Sequence, residues 1–189
     1  EIDWKKIDDF KVILNSINYK YLSAIEKYNF KEKFITDKMP LNFRWIGFIL
    51  LSIPGAKIIH TKRDPIATCW SIYKNFFKGD EHGFSYNMNN ILRYYKIYLD
   101  LMNFWKKKFP DKIYDFSYEK VTDNIENESK KVINFLGLEW QSQCLDFHKT
   151  KRVVKTNSAY QVRQGLYKDS LSEWQNYKEN LGYFLKNLK

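Results

Sequence analysis

The sequence predicts an α/β protein in which helices flank a layered parallel sheet, and three observations support this fold class. Two short apolar segments, at residues 56–60 and 112–119, have the length and pattern of strands. Each is preceded and followed by stretches whose apolar residues recur at helical spacing. Strands that alternate with helices favour parallel pairing, because a helix carries the chain back across the sheet.

The first half of the chain predicts two helices, then a strand and a third helix. Helical periodicity covers residues 3–28, and a second amphipathic helix is expected over 42–52. Residues 56–60 predict a buried strand that leads into the next helix. Asp64 has the residue type of an N-cap for that helix, and Pro65 suits its first position.

The second half begins with a long predicted helix over residues 86–108, which carries one uninterrupted apolar stripe and ends before Pro110. We expect this helix to be continuous and its stripe to face the core. The aromatic residues expected in the core are Tyr98, Trp105 and Phe135.

The last predicted elements are a strand and a capped helix. Residues 112–119 alternate as a strand does, with Asp115 on the same side as Ile113. Asp123 and Glu126 have the spacing of a capping box before a helix over 126–136, which Gly137 can close. Since no repeat or Pro/Gly/Ser-rich linker divides the chain, we expect a single domain over residues 1–189.

The composition indicates what class of partner the protein binds but does not identify that partner. The 32 basic and 22 acidic residues give a net charge of +10, which favours an anionic partner: nucleic acid, a membrane surface or a phosphorylated small molecule. No apolar run is long enough to span a membrane, and the first residues lack a leader pattern. The two cysteines are too few and too far apart in sequence to indicate a disulfide framework. We therefore expect reduced thiols and a cytoplasmic protein.

The segment richest in chemistry is residues 60–77, HTKRDPIATCWSIYKNFF. A phosphate group is bound well by a helix N-terminus beside a forked cation, and Arg63 directly precedes the predicted helix start at Pro65. Ser71 lies one turn beyond Ala67 on that helix, so Arg63 and Ser71 can bind the same phosphate group. The alternative is an ordinary strand-to-helix corner that Asp64 caps.

This segment resembles the sulfotransferase family, most closely the protein-tyrosine and TPR-associated sulfotransferases, through IIHTKRDPIATCWSIY at residues 58–73. The resemblance implies that Arg63 and Ser71 bind the 3′-phosphate of the donor, 3′-phosphoadenosine 5′-phosphosulfate. It implies no metal. Some relatives carry a second basic residue a turn after the serine, where this chain has Asn75.

Two further stretches extend the resemblance to catalysis and donor binding. ITDKMPLN at residues 35–42 implies that Lys38 lies beside the transferred sulfate, where it would stabilise the bridging oxygen. KTNSAYQVRQGLYKDSLSEWQNY at residues 155–177 resembles the loop that covers the donor. There the resemblance places Arg163 and Lys168 on phosphate oxygens and Ser172 near the sulfate.

A fourth stretch, residues 113–140, resembles the family's strand that ends in Tyr-Glu and the helix after it. Tyr118 and Glu119 occupy the Tyr-Glu positions, and we expect them to hold the strand end in place rather than to react. The resemblance is strongest over residues 35–177, and it implies a P-loop-NTPase-like sulfotransferase domain.

The chain departs from the family pattern at its beginning. The family's 5′-phosphosulfate loop needs a strand, a turn and a helix upstream of the matched lysine, yet residues 1–34 predict only helix. We therefore expect the C-terminal part of a longer protein, in which the intact enzyme transfers sulfate to a hydroxyl acceptor. A sheet that lacks its first strand also makes a homodimer possible. The alternatives are a non-catalytic remnant that serves as an interaction domain, or a nucleic-acid-binding module, which the helical placement of the aromatics disfavours.

Overall fold

The computed structural model of the chain describes residues 7–29, 31–77, 80–149 and 172–188. These residues fall into two compact units. The first unit takes its described residues from ranges 1–58 and 100–113, and the second from ranges 59–99 and 114–189.

The described residues contain seven α-helices and two strands, numbered here in chain order. The helices are α1 (Ile7–Glu26), α2 (Ile46–Ser52), α3 (Pro65–Lys74), α4 (Met88–Lys108), α5 (Tyr118–Asp123), α6 (Ile125–Leu136) and α7 (Gly182–Asn187). The strands are β1 (Ile58–Lys62) and β2 (Ile113–Ser117). 3₁₀ turns cover Pro40–Trp45, Asp80–Tyr86, Ser142–Lys149 and Glu173–Leu181.

The predicted α/β class is confirmed. β1 and β2 pair as a two-stranded parallel sheet, and helices precede and follow each strand. β1 is less buried than predicted, since Ile59 keeps 38% of its surface exposed. With one paired neighbour among the described residues, β1 has a free edge there, and its burial depends on the elements that pack on its two faces.

The first unit is built on contacts between helices. The rings of Phe10 on α1 and Phe48 on α2 lie 6.3 Å apart, and Asn18 donates to the Ser52 carbonyl at 2.7 Å. A Cβ at Gly47 would stand 2.7 Å from the Trp105 ring. Any other residue at position 47 would therefore force the Trp105 ring to shift.

The second unit contains a buried apolar cluster. It joins residues from α3, α4, the last 3₁₀ turn and α7, namely Cys69, Ile91, Leu92, Leu181 and Phe184. Burial raises the pKa of the Cys69 thiol to about 12, with Asp64 adding to the effect. Cys69 therefore stays a neutral core thiol at physiological pH.

α4 is continuous over Met88–Lys108, as predicted, and none of its stripe residues is fully exposed. Tyr98 and Trp105, which we expected in the core, are half-buried. Each keeps a polar tip on a partner: Trp105 Nε1 donates to the Phe43 carbonyl at 2.8 Å, and the Tyr98 hydroxyl contacts His60. Phe135 is also half-buried, against the Tyr114 ring on the small sheet.

The cap of α6 differs from the predicted capping box. α5 runs through Asp123, so the residue before α6 is Asn124, whose side chain accepts from Asn127 N at 3.0 Å. Gly137 closes α6 in the left-handed conformation, at φ 74°, as predicted. Across the described residues, no helix combines the length and the apolar character that crossing a bilayer requires.

Candidate functional site

The candidate site lies where β1 and β2 end. Parallel strands place their carboxyl ends at the same edge of a sheet, and the residues that follow them meet there. β1 leads into Arg63 and Asp64, while β2 leads into Tyr118 and Glu119. The Arg63 guanidinium carbon lies 5.5 Å from the centre of the Tyr118 ring.

Asp64 begins α3 as predicted. Its Oδ1 accepts from Ala67 N at 2.8 Å, and its carbonyl accepts from Thr68 N at 2.9 Å. Pro65 at the first position has no N–H to satisfy. The Asp64 carboxylate thus occupies one of the N–H groups at the start of α3.

Glu119 ties the two strand ends together. Its Oε1 accepts from Asp64 N at 2.7 Å, and its Oε2 accepts from Ser117 Oγ at 2.7 Å. Burial acts to raise the Glu119 pKa, but these hydrogen bonds and the Arg63 charge outweigh it and hold the pKa below its usual value. The carboxylate thus fixes the backbone at the start of α3 and stays charged beside Arg63, as the structural role predicted for Tyr118 and Glu119 requires.

Replacing Glu119 by glutamine should lower the free energy of unfolding by about 1 kcal/mol at pH 7, because charge-assisted bonds at the strand ends are lost. A carboxyl with a lowered folded-state pKa stabilises the fold above its unfolded value of 4.5 and loses that effect as the pH falls through the folded value. The difference in the free energy of unfolding between wild type and variant, measured by urea titration, should therefore shrink below pH 4.5. The exposed Glu139→Gln variant is the control, and a gap that does not vary with pH would contradict the assignment.

Ser71 lies on α3, half-buried, six residues after Pro65 and so about 9 Å further along the helix axis. Asn75 caps the end of this helix, donating from Nδ2 to the Ser71 carbonyl at 2.7 Å and lying 3.5 Å from Ser71 Oγ. The position where some relatives have a basic residue therefore holds an amide that borders the serine hydroxyl.

Ser172 lies near α3, because residues that follow it contact this helix. Lys74, one turn after Ser71, forms an ion pair with Glu173. The rings of Trp70 and Tyr177 pack with centroids 4.5 Å apart. Ser172 itself is exposed, at the start of the 3₁₀ turn Glu173–Leu181. Sequence reasoning missed this link, because the partners lie 99 positions apart.

The other predicted site residues are distributed as follows. Lys38 is exposed on an extended segment of the first unit, two residues before Pro40. Arg163 and Lys168 lie outside the described residues. In the described part of the chain, no three His, Cys, Asp or Glu side chains are grouped as a metal site would need.

Comparison with known proteins supports the family assignment. The sequence model of the Sulfotransferase family matches residues 4–142. An uncharacterized protein of Aquifex aeolicus (strain VF5) is 35% identical over 171 residues, which are 89% of this chain and 22% of that protein. The chain therefore spans about a fifth of the length of that relative. Because the family model matches most of this chain's residues, the chain belongs to the sulfotransferase family.

Proposed function

We propose that this chain holds the donor 3′-phosphoadenosine 5′-phosphosulfate within a layered, P-loop-NTPase-like sulfotransferase fold, and that the protein transfers its sulfate to a hydroxyl acceptor. The observation that carries the proposal is the corner between β1 and α3. Arg63 follows the strand end and Ser71 lies on the helix that begins there, in a chain that belongs to the sulfotransferase family.

The chemistry of this corner suits a 3′-phosphate. A guanidinium offers planar, paired N–H donors that match two phosphate oxygens, and here it lies against the Tyr118 ring. Ser71 adds a neutral hydroxyl donor on α3, close to the Asn75 amide. In this assignment, Arg163 and Lys168 contact further phosphate oxygens of the donor.

The transfer itself is an in-line displacement. The acceptor oxygen forms a bond to sulfur, the bond from sulfur to the bridging oxygen breaks, and 3′-phosphoadenosine 5′-phosphate leaves. The hydroxyl proton passes to a base, for which we assign no residue. Lys38 and Ser172 are proposed to stabilise the negative charge that grows on the bridging oxygen.

The test compares three nucleotides by calorimetry: 3′-phosphoadenosine 5′-phosphate, its 2′-phosphate isomer and AMP. We expect the 3′-phosphate to bind about ten- to a hundredfold more tightly than AMP, because it adds charge-assisted hydrogen bonds. The 2′-isomer has the same charge, so it controls for general attraction to a protein of net charge +10.

Equal binding of all three nucleotides would remove the site assignment. Tighter binding of a single-stranded oligonucleotide than of any nucleotide would favour a nucleic-acid-binding module instead. A radiolabelled donor assay over a panel of hydroxyl compounds then separates the two remaining cases. Selective nucleotide binding without transfer would indicate an interaction domain, or a chain that needs further segments to react.

A further inference from the structure

A hydrogen-bonded chain of three side chains lies beneath the candidate site, within the second unit. His60 Nδ1 on β1 lies 2.8 Å from Asp115 Oδ1 on β2. His60 Nε2 contacts the Tyr98 hydroxyl on α4. We call these three residues the relay. The His60 side chain keeps only 10% of its surface exposed, so both ring nitrogens are held by protein partners.

The relay is linked to Arg63 through the backbone of β1. His60 lies on this strand three residues before Arg63, which directly follows the strand end at Lys62, a distance of about 10 Å along an extended backbone. Lys62, which shares a strand face with His60, donates to the other Asp115 oxygen at 3.1 Å. β1, which leads into Arg63, is thus held by two side-chain contacts to Asp115 on β2 and by one to Tyr98 on α4.

Several other charged or titratable side chains lie around the relay. Burial, and then the Asp115 charge, raise the Tyr98 pKa to about 12, so Tyr98 stays a neutral hydroxyl at physiological pH. The Tyr95 ring, 5.4 Å from that of Tyr98, also has a raised pKa through burial. Lys62 balances the Asp115 carboxylate. On the α3 side, Asp64 is committed to its capping bonds and Cys69 is a neutral thiol.

We propose that the relay positions Arg63 for the donor and couples nucleotide binding to the protonation of His60. The inference rests on the proposed function, and it adds a form of regulation to that site. Histidine is the side chain whose ordinary titration falls within the physiological range. His60 is the residue of the relay able to change charge there.

Two hydrogen-bond arrangements fit the same heavy-atom positions. A neutral His60 donates from Nδ1 to Asp115 and accepts at Nε2 from the Tyr98 hydroxyl. A protonated His60 donates to both partners, so the hydroxyl proton of Tyr98 rotates away. The ring keeps its place in either state, and only the charge beneath Arg63 changes.

The sign of the coupling follows from charge. An imidazolium about 10 Å from the Arg63 backbone favours a phosphate dianion there, so the affinity for the 3′-phosphate should rise as the pH falls through the His60 titration. Coulomb's law over that distance, at effective dielectric constants between protein surface and water, gives an effect of about two- to tenfold. By linkage, binding of the nucleotide takes up protons.

The test measures the dissociation constant of 3′-phosphoadenosine 5′-phosphate from pH 5.5 to 8 in the wild type and in His60→Gln. The glutamine amide does not titrate, whereas the nucleotide's own phosphates titrate in both experiments and cancel in the ratio. We expect that ratio to change about two- to tenfold across the pH range. Calorimetry in two buffers of different ionisation enthalpy should also show more proton uptake in the wild type. His82→Gln, a histidine change elsewhere in the second unit, should behave as the wild type does.

Tyr98→Phe removes only the hydroxyl, so it tests the relay if His60→Gln does not fold. It should shift the pH at which affinity changes. A pH dependence identical in the wild type, His60→Gln and Tyr98→Phe would overturn the relay, while preference for the 3′-phosphate would leave the proposed function standing. If the wild type shows no such preference, the proposed function fails and this inference fails with it.

Discussion

Arg63→Ala is expected to abolish most of the preference for 3′-phosphoadenosine 5′-phosphate over AMP. The variant loses the guanidinium that is proposed to bind the 3′-phosphate, and a net loss of about 1.5–3 kcal/mol corresponds to a fall in affinity of about ten- to a hundredfold. AMP affinity should change much less, since AMP lacks the phosphate that Arg63 is proposed to bind. Arg63→Lys keeps the charge but lacks the planar guanidinium, so its affinity for 3′-phosphoadenosine 5′-phosphate should lie between those of the wild type and Arg63→Ala.

The matched control is Arg93→Ala, which removes the same charge from an exposed position of α4 in the same unit. It should leave nucleotide selectivity intact. Circular dichroism must show that Arg63→Ala is folded, because the variant also loses the contact with the Tyr118 ring. If Arg93→Ala and Arg63→Ala lost the preference for the 3′-phosphate equally, the preference would come from general electrostatic attraction and not from a site at Arg63.

The second large effect concerns stability. Phe184→Ala should lower the free energy of unfolding by about 3–5 kcal/mol, the usual cost of emptying an aromatic core position. Phe184 on α7 is 2% exposed and packs in the cluster with Cys69 and Ile91. Urea unfolding followed by tryptophan fluorescence measures the change.

Tyr183→Ala is the control for Phe184→Ala. It removes an aromatic side chain from the adjacent position of the same helix, but Tyr183 is 63% exposed. The control should change stability by less than about 0.5 kcal/mol, as substitutions at exposed positions usually do. Similar losses for the two variants would mean that α7 is not part of the core of the second unit.

The corner between β1 and α3 was predictable from sequence because its signals are local. Asp64 before Pro65 marks a helix start through cap chemistry and a fixed φ angle, and both operate within three residues. The continuous α4 was predictable for a related reason, since a single apolar stripe without proline or glycine specifies one helix. The cap of α6 was missed by one residue, because Asp123 and Asn124 both have cap chemistry and only the end of α5 decides between them.

The contacts around the site were not predictable, because they depend on which elements meet. Alternation placed Asp115 on one face of its strand, but nothing in the local pattern identifies His60 as its partner 55 positions away. The 3₁₀ turn Glu173–Leu181 lacks the 3.6-residue period on which helix prediction depends. The assignments of Lys38, Arg163 and Lys168 remain predictions that rest on the family resemblance.

The ion pair between Lys74 and Glu173 has a consequence for the order of events during protein synthesis. A ribosome adds about 5–20 residues per second, so about 5 to 20 s separate the emergence of α3 from that of its partner segment and α7. Until that segment emerges, the apolar surfaces of Cys69, Ile91 and Leu92 lack Leu181 and Phe184. The nascent second unit should therefore remain a substrate for chaperones until the segment around residue 184 has left the exit tunnel.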